Sequence, residues 1–246
     1  GGGARGLAHF GVLRALSEAG VPVDVVGGCS QGAFMSALWA KNPDVQAFRR
    51  DLLAFCSNFT TWGVIKELTI PVLSYFSGRN FSRIVKTALG HTTHIEDLWL
   101  PFFCTTTNVR KMDGHAHSRG RLWTYVRASM SVLGIFPPMI VHGDLLVDGV
   151  YVNNLPVDVM ARYCKTIVAV DVENRNRSYF DNMYNYGDGV SGWWILLMKL
   201  TRLHNVPDFG DILNWVNCMN HMRQLREHVS QGQMIDLYIR PAVTKY

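Results

Sequence analysis

The chain has 246 residues, 48% of them apolar and 17% charged, against roughly 25% charged in an ordinary soluble domain. Its 24 Lys and Arg exceed its 19 Asp and Glu to give a formal +5. These cations are scattered singly or in pairs such as Arg49-Arg50 and Arg110-Lys111, which argues against a nucleic-acid surface and suits attraction to an anionic membrane. Five widely spaced cysteines, Cys29, Cys56, Cys104, Cys164 and Cys218, form no C-x-x-C pair and have no histidine at ligand spacing, so they read as reduced thiols of a cytosol-facing protein.

In chain order, Gly1-Gly2-Gly3-Ala4-Arg5-Gly6 leads directly into a helix over residues 6–20, where Leu7, Phe10, Leu13 and Leu16 recur at helical spacing and Gly20 with Pro22 supplies the stop. Val23-Asp24-Val25-Val26 ends in Gly27-Gly28 and predicts a buried parallel strand. A second helix follows Ser30 to about residue 40. Residues 44–55 and 81–89 read as helices, and 101–109 (PFFCTTTNV) as a strand. The polar turn at Asp113-Gly114 predicts a hairpin that returns through Leu122-Trp123-Thr124-Tyr125. Leu145-Leu146-Val147 running into Asp148-Gly149 is a strand followed by a turn, 166–172 is a buried strand and 234–239 a last one. Residues 174–190 have no period and are expected to form a mobile loop, a candidate lid. The alternation predicts an α/β fold of three layers with a mostly parallel central sheet. No repeat, linker or low-complexity tract divides residues 1–246, so they read as one domain. The opening glycine run suggests a domain cut from a longer protein, with the strand that carries the run lying before residue 1. No apolar run reaches the ~18 residues of a membrane span.

Gly28-Cys29-Ser30-Gln31-Gly32 matches G-x-S-x-G between a strand and a helix, the setting in which that pattern is a nucleophile elbow. Ser30 would project its hydroxyl at a helix start, where the dipole favours developing negative charge. The loop Gly1-Gly2-Gly3-Ala4-Arg5-Gly6 also fits G-x-G-x-x-G, but no acidic residue ends a second strand as a dinucleotide site requires. An oxyanion hole formed by Gly1, Gly2 and Gly3 is the better reading, with Arg5 fixing the loop or adding positive charge; a loop that merely permits close packing is the plain alternative. For a base, the order Ser, acid, His would pair Asp148 with His204, His221 or His228. The elbow follows the first complete strand here, unlike that arrangement, and Asp148 alone, at a strand end in a dry pocket, could serve. His9 reads as a packing residue or as a support for the residues around the glycine loop rather than a proton carrier, and His91, His94, His115, His117 and His142 as solvated loop side chains. No cluster has metal-ligand spacing, and no cofactor is called for. Trp193-Trp194-Ile195-Leu196-Leu197-Met198 reads as core helix, or with Trp62, Phe76 and Trp99 as an acyl-binding or membrane-facing surface.

The glycine loop through His9, Gly28-Cys29-Ser30-Gln31-Gly32 and Asp148-Gly149, in this order and spacing, resemble the patatin-like phospholipases. Ile95-Glu96-Asp97-Leu98, Arg127-Ala128-Ser129-Met130-Ser131, Pro137-Pro138 and Asp148-Gly149-Val150-Tyr151-Val152-Asn153-Asn154-Leu155-Pro156 further resemble the neuropathy target esterase branch with its lysophospholipases. The resemblance implies a Ser-Asp dyad: Ser30 as nucleophile, Asp148 as base, Gly1 to Gly3 as oxyanion donors, and Arg5, Gly6, Gly28, Gly32 and Gly149 in support. It implies hydrolysis of fatty acyl esters of lysophospholipid or phospholipid through an acyl-enzyme. It also implies a membrane anchor and cyclic-nucleotide-binding-like regulatory domains elsewhere in the protein, at the cytosolic face of the endoplasmic reticulum. Cys29, Gln31 and Val150 depart from the family pattern. Gln31 and Val150, the latter β-branched and stiff beside the base, raise the alternative of a catalytically impaired lipid-binding module.

Overall fold

The computed structural model describes residues 1–173, 185–201, 206–207, 209–230 and 235–243, with the side chains of 209, 210, 214, 218 and 227–230 outside the description. A 3-10 turn, Gly3–Ala8, leads into α1 (His9–Glu18), and Gly20 turns the chain with φ 68°. β1 (Val26–Cys29) starts later than the β-branched run predicts. Its partner β2 (Phe102–Asn108) begins just after Pro101, so the residue facing Val25 has no N–H to offer the ladder.

The helices α2 (Gln31–Lys41), α3 (Val45–Ser57), α4 (Thr61–Glu67) and α5 (Arg79–Leu89) follow. Asp44 caps α3 by accepting from the Ala47 N–H at 2.7 Å. α2 is apolar nearly all round and almost wholly buried, as a central core helix must be. Phe34, Met35 and Leu38 from α2, Phe48 from α3 and Val85 and Leu89 from α5 form the main core with Phe10 and Leu13 of α1 packed against it.

The predicted hairpin exists, but its return strand is β3 (Asp113–His117), while residues 122–125 open a helix, α6 (Leu122–Ser129). The aromatic and β-branched character of Trp123, Tyr125 and Val126 gives way to tertiary packing: Leu122 and Val126, one turn apart, are fully buried on one helical face. As a result His117, expected in a solvated loop, sits on β3 hydrogen-bonded to Thr106 Oγ1 at 2.7 Å and stacked on Tyr125. β4 (Met139–Val141), β5 (Asp144–Asp148), a 3-10 turn Gly149–Tyr151, α7 (Val157–Met160), β6 (Val168–Val170), α8 (Gly192–Thr201), α9 (Phe209–Ser230) and β7 (Leu237–Ile239) complete the described elements. Of the loop expected at 174–190, residues 174–184 lie outside the described residues.

The class is α/β with helices on both sides of a mixed sheet. Only β1 and β2 run parallel in the five-stranded sheet; β2–β3 and β4–β5 are antiparallel because hairpins join them over connections too short for a crossover, and β2–β5 is antiparallel as well. β6 and β7 form a separate parallel pair. The register of β2 decides where the chemistry falls. β3 occupies one edge of β2 from Cys104 to Asn108. The other edge is shared end to end: β1 pairs with Phe102 through Thr105, and β5, running the opposite way, pairs with Asn108 back to Thr106. The carboxyl ends of β1 and β5 therefore meet beside Thr105-Thr106.

Candidate active site

The residue after β1 is Ser30 and the last residue of β5 is Asp148, so this end-to-end arrangement puts the two side chains face to face. Ser30 Oγ donates to Asp148 Oδ2 at 2.6 Å. Asp148 is fully buried and Ser30 nearly so. Ser30 adopts φ 54°, ψ −125°, a conformation costing of order 1–3 kcal/mol for a residue with a Cβ. It is held there by Ser129, whose Oγ accepts from the Ser30 N–H at 2.8 Å and donates to the Thr105 carbonyl at 2.7 Å. The elbow is tight enough that a Cβ on Gly28 would lie 2.7 Å from the Gly32 backbone, and the chain leaving Asp148 is pressed so close to β2 that a Cβ on Gly149 would lie 2.6 Å from the Thr105 oxygen.

The Asp148 carboxyl accepts two further bonds, both at Oδ1: from the Val150 N–H at 3.0 Å and from the Cys29 thiol at 3.3 Å. Its backbone is pinned as well, the N–H to Ser131 O at 3.0 Å and the C=O to Thr107 Oγ1 at 2.9 Å. Burial raises the Asp148 pKa above the usual carboxylate range, with the donors from Ser30, Val150 and Cys29 pulling against it. Burial, reinforced by the neighbouring Asp148, pushes the Cys29 thiol well up, so it stays protonated and able to donate. Val150 lies in a 3-10 turn, and no positive φ is required of it. Its stiffness is thus accommodated, and its N–H helps hold the carboxylate.

The glycine loop lies against this pair. Gly2 and Gly3 have φ 98° and 55°. The Gly1 nitrogen is 3.4 Å from where a Cβ on Gly32 would stand, and Gly6 packs on the Gln31 side chain next to the serine. Arg5 fixes the loop: its Nε donates to Gly2 O at 3.4 Å and its guanidinium faces Glu173 at 3.5 Å. His9 sits beside Gly32, and burial lowers its pKa to about 3, so it is neutral and serves as a packing residue.

Among the described residues no histidine bridges serine and aspartate. His221 is buried against Asp171, with Nε2 3.3 Å from Oδ2; burial opposes the Asp171 charge, yet His221 and Tyr238 hold its pKa below the ordinary range. His204 and the side chain of His228 lie outside the described residues, as does the Cys218 side chain; Cys29, Cys56, Cys104 and Cys164 are free thiols. Among the described residues no group of three His, Cys, Asp or Glu could hold a metal. Sequence reading missed Ser129 as the support of the Ser30 N–H and Cys29 as a donor to the base. Their only signal is position: Cys29 inside the elbow pentapeptide, Ser129 inside the Arg127–Ser131 stretch. A cavity of about 470 Å³ lies behind the elbow, between the β1 segment from Val23 to Cys29 and residues Thr166 to Val170; neither Ser30 nor Asp148 lines it.

The family model described as patatin-like phospholipase matches residues 1–161. Among curated proteins, neuropathy target esterase sws of Drosophila melanogaster is 42% identical over 253 residues, covering 100% of this chain and 17% of that protein. Lysophospholipase NTE1 of Mycosarcoma maydis is 40% identical over 235 residues, 92% of this chain and 12% of its own. Patatin-like phospholipase domain-containing protein 7 of Rattus norvegicus is 40% identical over 256 residues, 100% of this chain and 18% of its own. The chain thus spans less than a fifth of the length of these relatives.

Proposed function

The chain belongs to the patatin-like phospholipase family, and from that premise we propose that it is a serine hydrolase cleaving the fatty acyl ester of lysophospholipids or phospholipids, with Ser30 and Asp148 as its dyad. The observation that carries the reading is the 2.6 Å bond from Ser30 Oγ to a fully buried Asp148 carboxylate. Ser30 Oγ attacks the ester carbonyl carbon and its proton passes to Asp148 Oδ2. The oxyanion of the tetrahedral intermediate is met by N–H groups of Gly1, Gly2 and Gly3; the loop's contact with Gln31 and Gly32 supports that role. Collapse returns the proton from Asp148 to the departing glycerol oxygen and leaves an acyl ester on Ser30. Water, deprotonated by Asp148, then attacks the acyl carbon, and as the fatty acid leaves Asp148 returns the proton to Ser30 Oγ. A buried carboxylate is a stronger base than a solvated one, which allows the pair to work without histidine. The relatives' names, an esterase and lysophospholipases, support lysophospholipid as substrate. Ser30→Ala and Asp148→Asn should each lower lysophosphatidylcholine hydrolysis by about 10³-fold or more. Fluorophosphonate labelling that persists in Ser30→Ala would rule the assignment out.

The same reading places the protein against a membrane at the cytosolic face of the endoplasmic reticulum, under regulation by cyclic-nucleotide-binding-like domains elsewhere in the chain. No described helix is long and apolar enough to cross a bilayer, and peripheral contact is sufficient for this chemistry. Residues 1–246 are read as one catalytic domain whose sheet is completed by a strand preceding residue 1. Support comes from the cavity between β1 and β6, whose facing edges pair with no other described strand.

A further inference from the structure

Between Phe59 and Phe76 the chain turns apolar side chains outward. Trp62, Ile65, Leu68, Ile70, Val72 and Leu73 are all exposed, Ile70 at 79% and Val72 at 90%. Single exposed apolar residues are ordinary, whereas a contiguous group rimmed by polar residues marks an interaction surface. The group sits on a structured projection. Thr69 N donates to Tyr75 O at 3.0 Å, and Leu68 bridges to Phe76. The projection is joined to the dyad's own scaffold: Tyr75 N donates to Gly134 O at 2.7 Å, Phe76 N to Ile135 O at 3.1 Å, and Leu133 N to the Tyr151 hydroxyl at 2.8 Å. Tyr151 ends the 3-10 turn that begins directly after Asp148. Leu133 and Ile135 are themselves exposed and extend the apolar surface toward the site.

Its charge is of one sign. From residue 58 to residue 90 the sequence has a single carboxylate, Glu67, and that side chain is buried, accepting from Ser77 Oγ at 3.2 Å and from the Asn80 N–H. Lys66, Arg79 and Arg83 are exposed and make no ion pair among the described residues. Apolar tips, three exposed cations without an ion pair among the described residues, Arg83 also donating to Asn80 Oδ1, and the amphipathic rings Trp62 and Tyr75 are what a lipid interface selects. A second copy placed on the same patch would bring the like charges of Lys66, Arg79 and Arg83 together, which disfavours self-association.

We propose that α4 with residues 68–76 and 133–135 seats the domain on an anionic bilayer, Ile70, Val72 and Leu73 entering the acyl boundary and Lys66, Arg79 and Arg83 meeting phosphate headgroups. This deepens the lipid-esterase reading, on which it rests for the need to meet a membrane, by assigning the surface that does so. The 246-residue chain, without any anchor lying elsewhere in the protein, is incubated with vesicles of phosphatidylcholine alone or with about 30% phosphatidylserine, and vesicle-bound protein is measured by co-sedimentation. Ile70→Asp with Val72→Asp lowers binding more than tenfold on both vesicles. Lys66→Gln, Arg79→Gln and Arg83→Gln together lower it by about fivefold per charge on the serine-containing vesicles and leave binding to the neutral ones unchanged. Both variants keep the wild-type melting curve and the wild-type rate on a water-soluble, monomeric ester. Undiminished binding by the Ile70/Val72 variant, or no binding by wild type, overturns the proposal. So does a wild-type dimer that this variant dissociates while vesicle binding stays the same, which would assign the patch to a second copy. Failure of wild type to cleave the soluble ester counts against the esterase reading alone, since binding is read without turnover.

Discussion

Cys29 donates to the same carboxylate that accepts from Ser30, so its side chain tunes the base without touching substrate. A thiol is a weak donor. Removing it in Cys29→Ala takes away a bond that favours the ionised form, so the acid limb of kcat/KM moves to higher pH. Cys29→Ser supplies a stronger donor and moves the limb to lower pH. If both substitutions leave the limb in place, Cys29 only fills space. Asp148 itself carries a stability cost. Its folded-state pKa is raised, chiefly by burial, so the folded protein holds a proton that the unfolded chain releases, and stability falls as pH climbs from the ordinary carboxylate pKa through the raised one. Asp148→Asn, neutral throughout and the same shape, should therefore melt higher than wild type at pH 7 while losing about 10³-fold or more in activity, a trade typical of active sites. A scan of melting temperature against pH checks it: the gap to wild type should close as pH falls below the usual carboxylate range. Ser30 and Asp148 were readable in the sequence because each stands in a pattern with its own backbone geometry. The bond from Cys29 was not, since a small buried thiol looks the same whether or not it donates.

Among the elements, α6 bears most on the elbow. It ends at Ser129, whose hydroxyl bridges the strained Ser30 N–H and the Thr105 carbonyl, and it contains Arg127, buried between Phe81 and Phe136 and bonded to Ser131 at 2.6 Å. Ser129→Ala leaves a buried N–H without its acceptor, a loss of about 1–3 kcal/mol. With the constraint on the Ser30 backbone gone, kcat should fall about tenfold with KM little changed, because a misaimed nucleophile affects the reacting geometry more than binding. A urea melt read beside the kinetics separates the two effects; equal kcat in the variant would show that the elbow holds its shape unaided. α6 is also where the sequence misled. Trp123-Thr124-Tyr125-Val126 has strand composition, and only the burial of Leu122 and Val126 on one face makes it helical. The helix α1 was legible because its apolar period and its stop signal at Gly20 and Pro22 agree. The start of β1 was not, because it depends on where Pro101 falls in a strand far along the chain.

At the scale of the whole molecule, the meeting of β1 and β5 on one edge of β2 was invisible in the sequence, since it is a matter of register between strands more than a hundred residues apart. Among the described residues, one edge of β1 and one edge of β6 carry no paired strand, and this raises the last test. β1 uses one edge for β2 and β6 one edge for β7, and the cavity of about 470 Å³ lies between their remaining edges. A strand entering there would pair its backbone on both sides, cover Val26 and Val168, and end beside Gly1 with the direction needed to deliver the glycine loop to Ser30. Paired on both edges and buried on both faces, such a strand contributes several kcal/mol, which for a domain of this size is a rise in melting temperature on the order of 10 °C. If the full protein has residues before Gly1 that form this strand, adding them should give that rise, and hydrogen exchange should slow at β1 and β6 while β3 and β4 are unaffected. An extension that leaves the melting temperature in place and is trimmed by protease back to the glycine run would mean that this strand does not enter, and that the glycine loop is held by Arg5, Asn154 and Val172 alone.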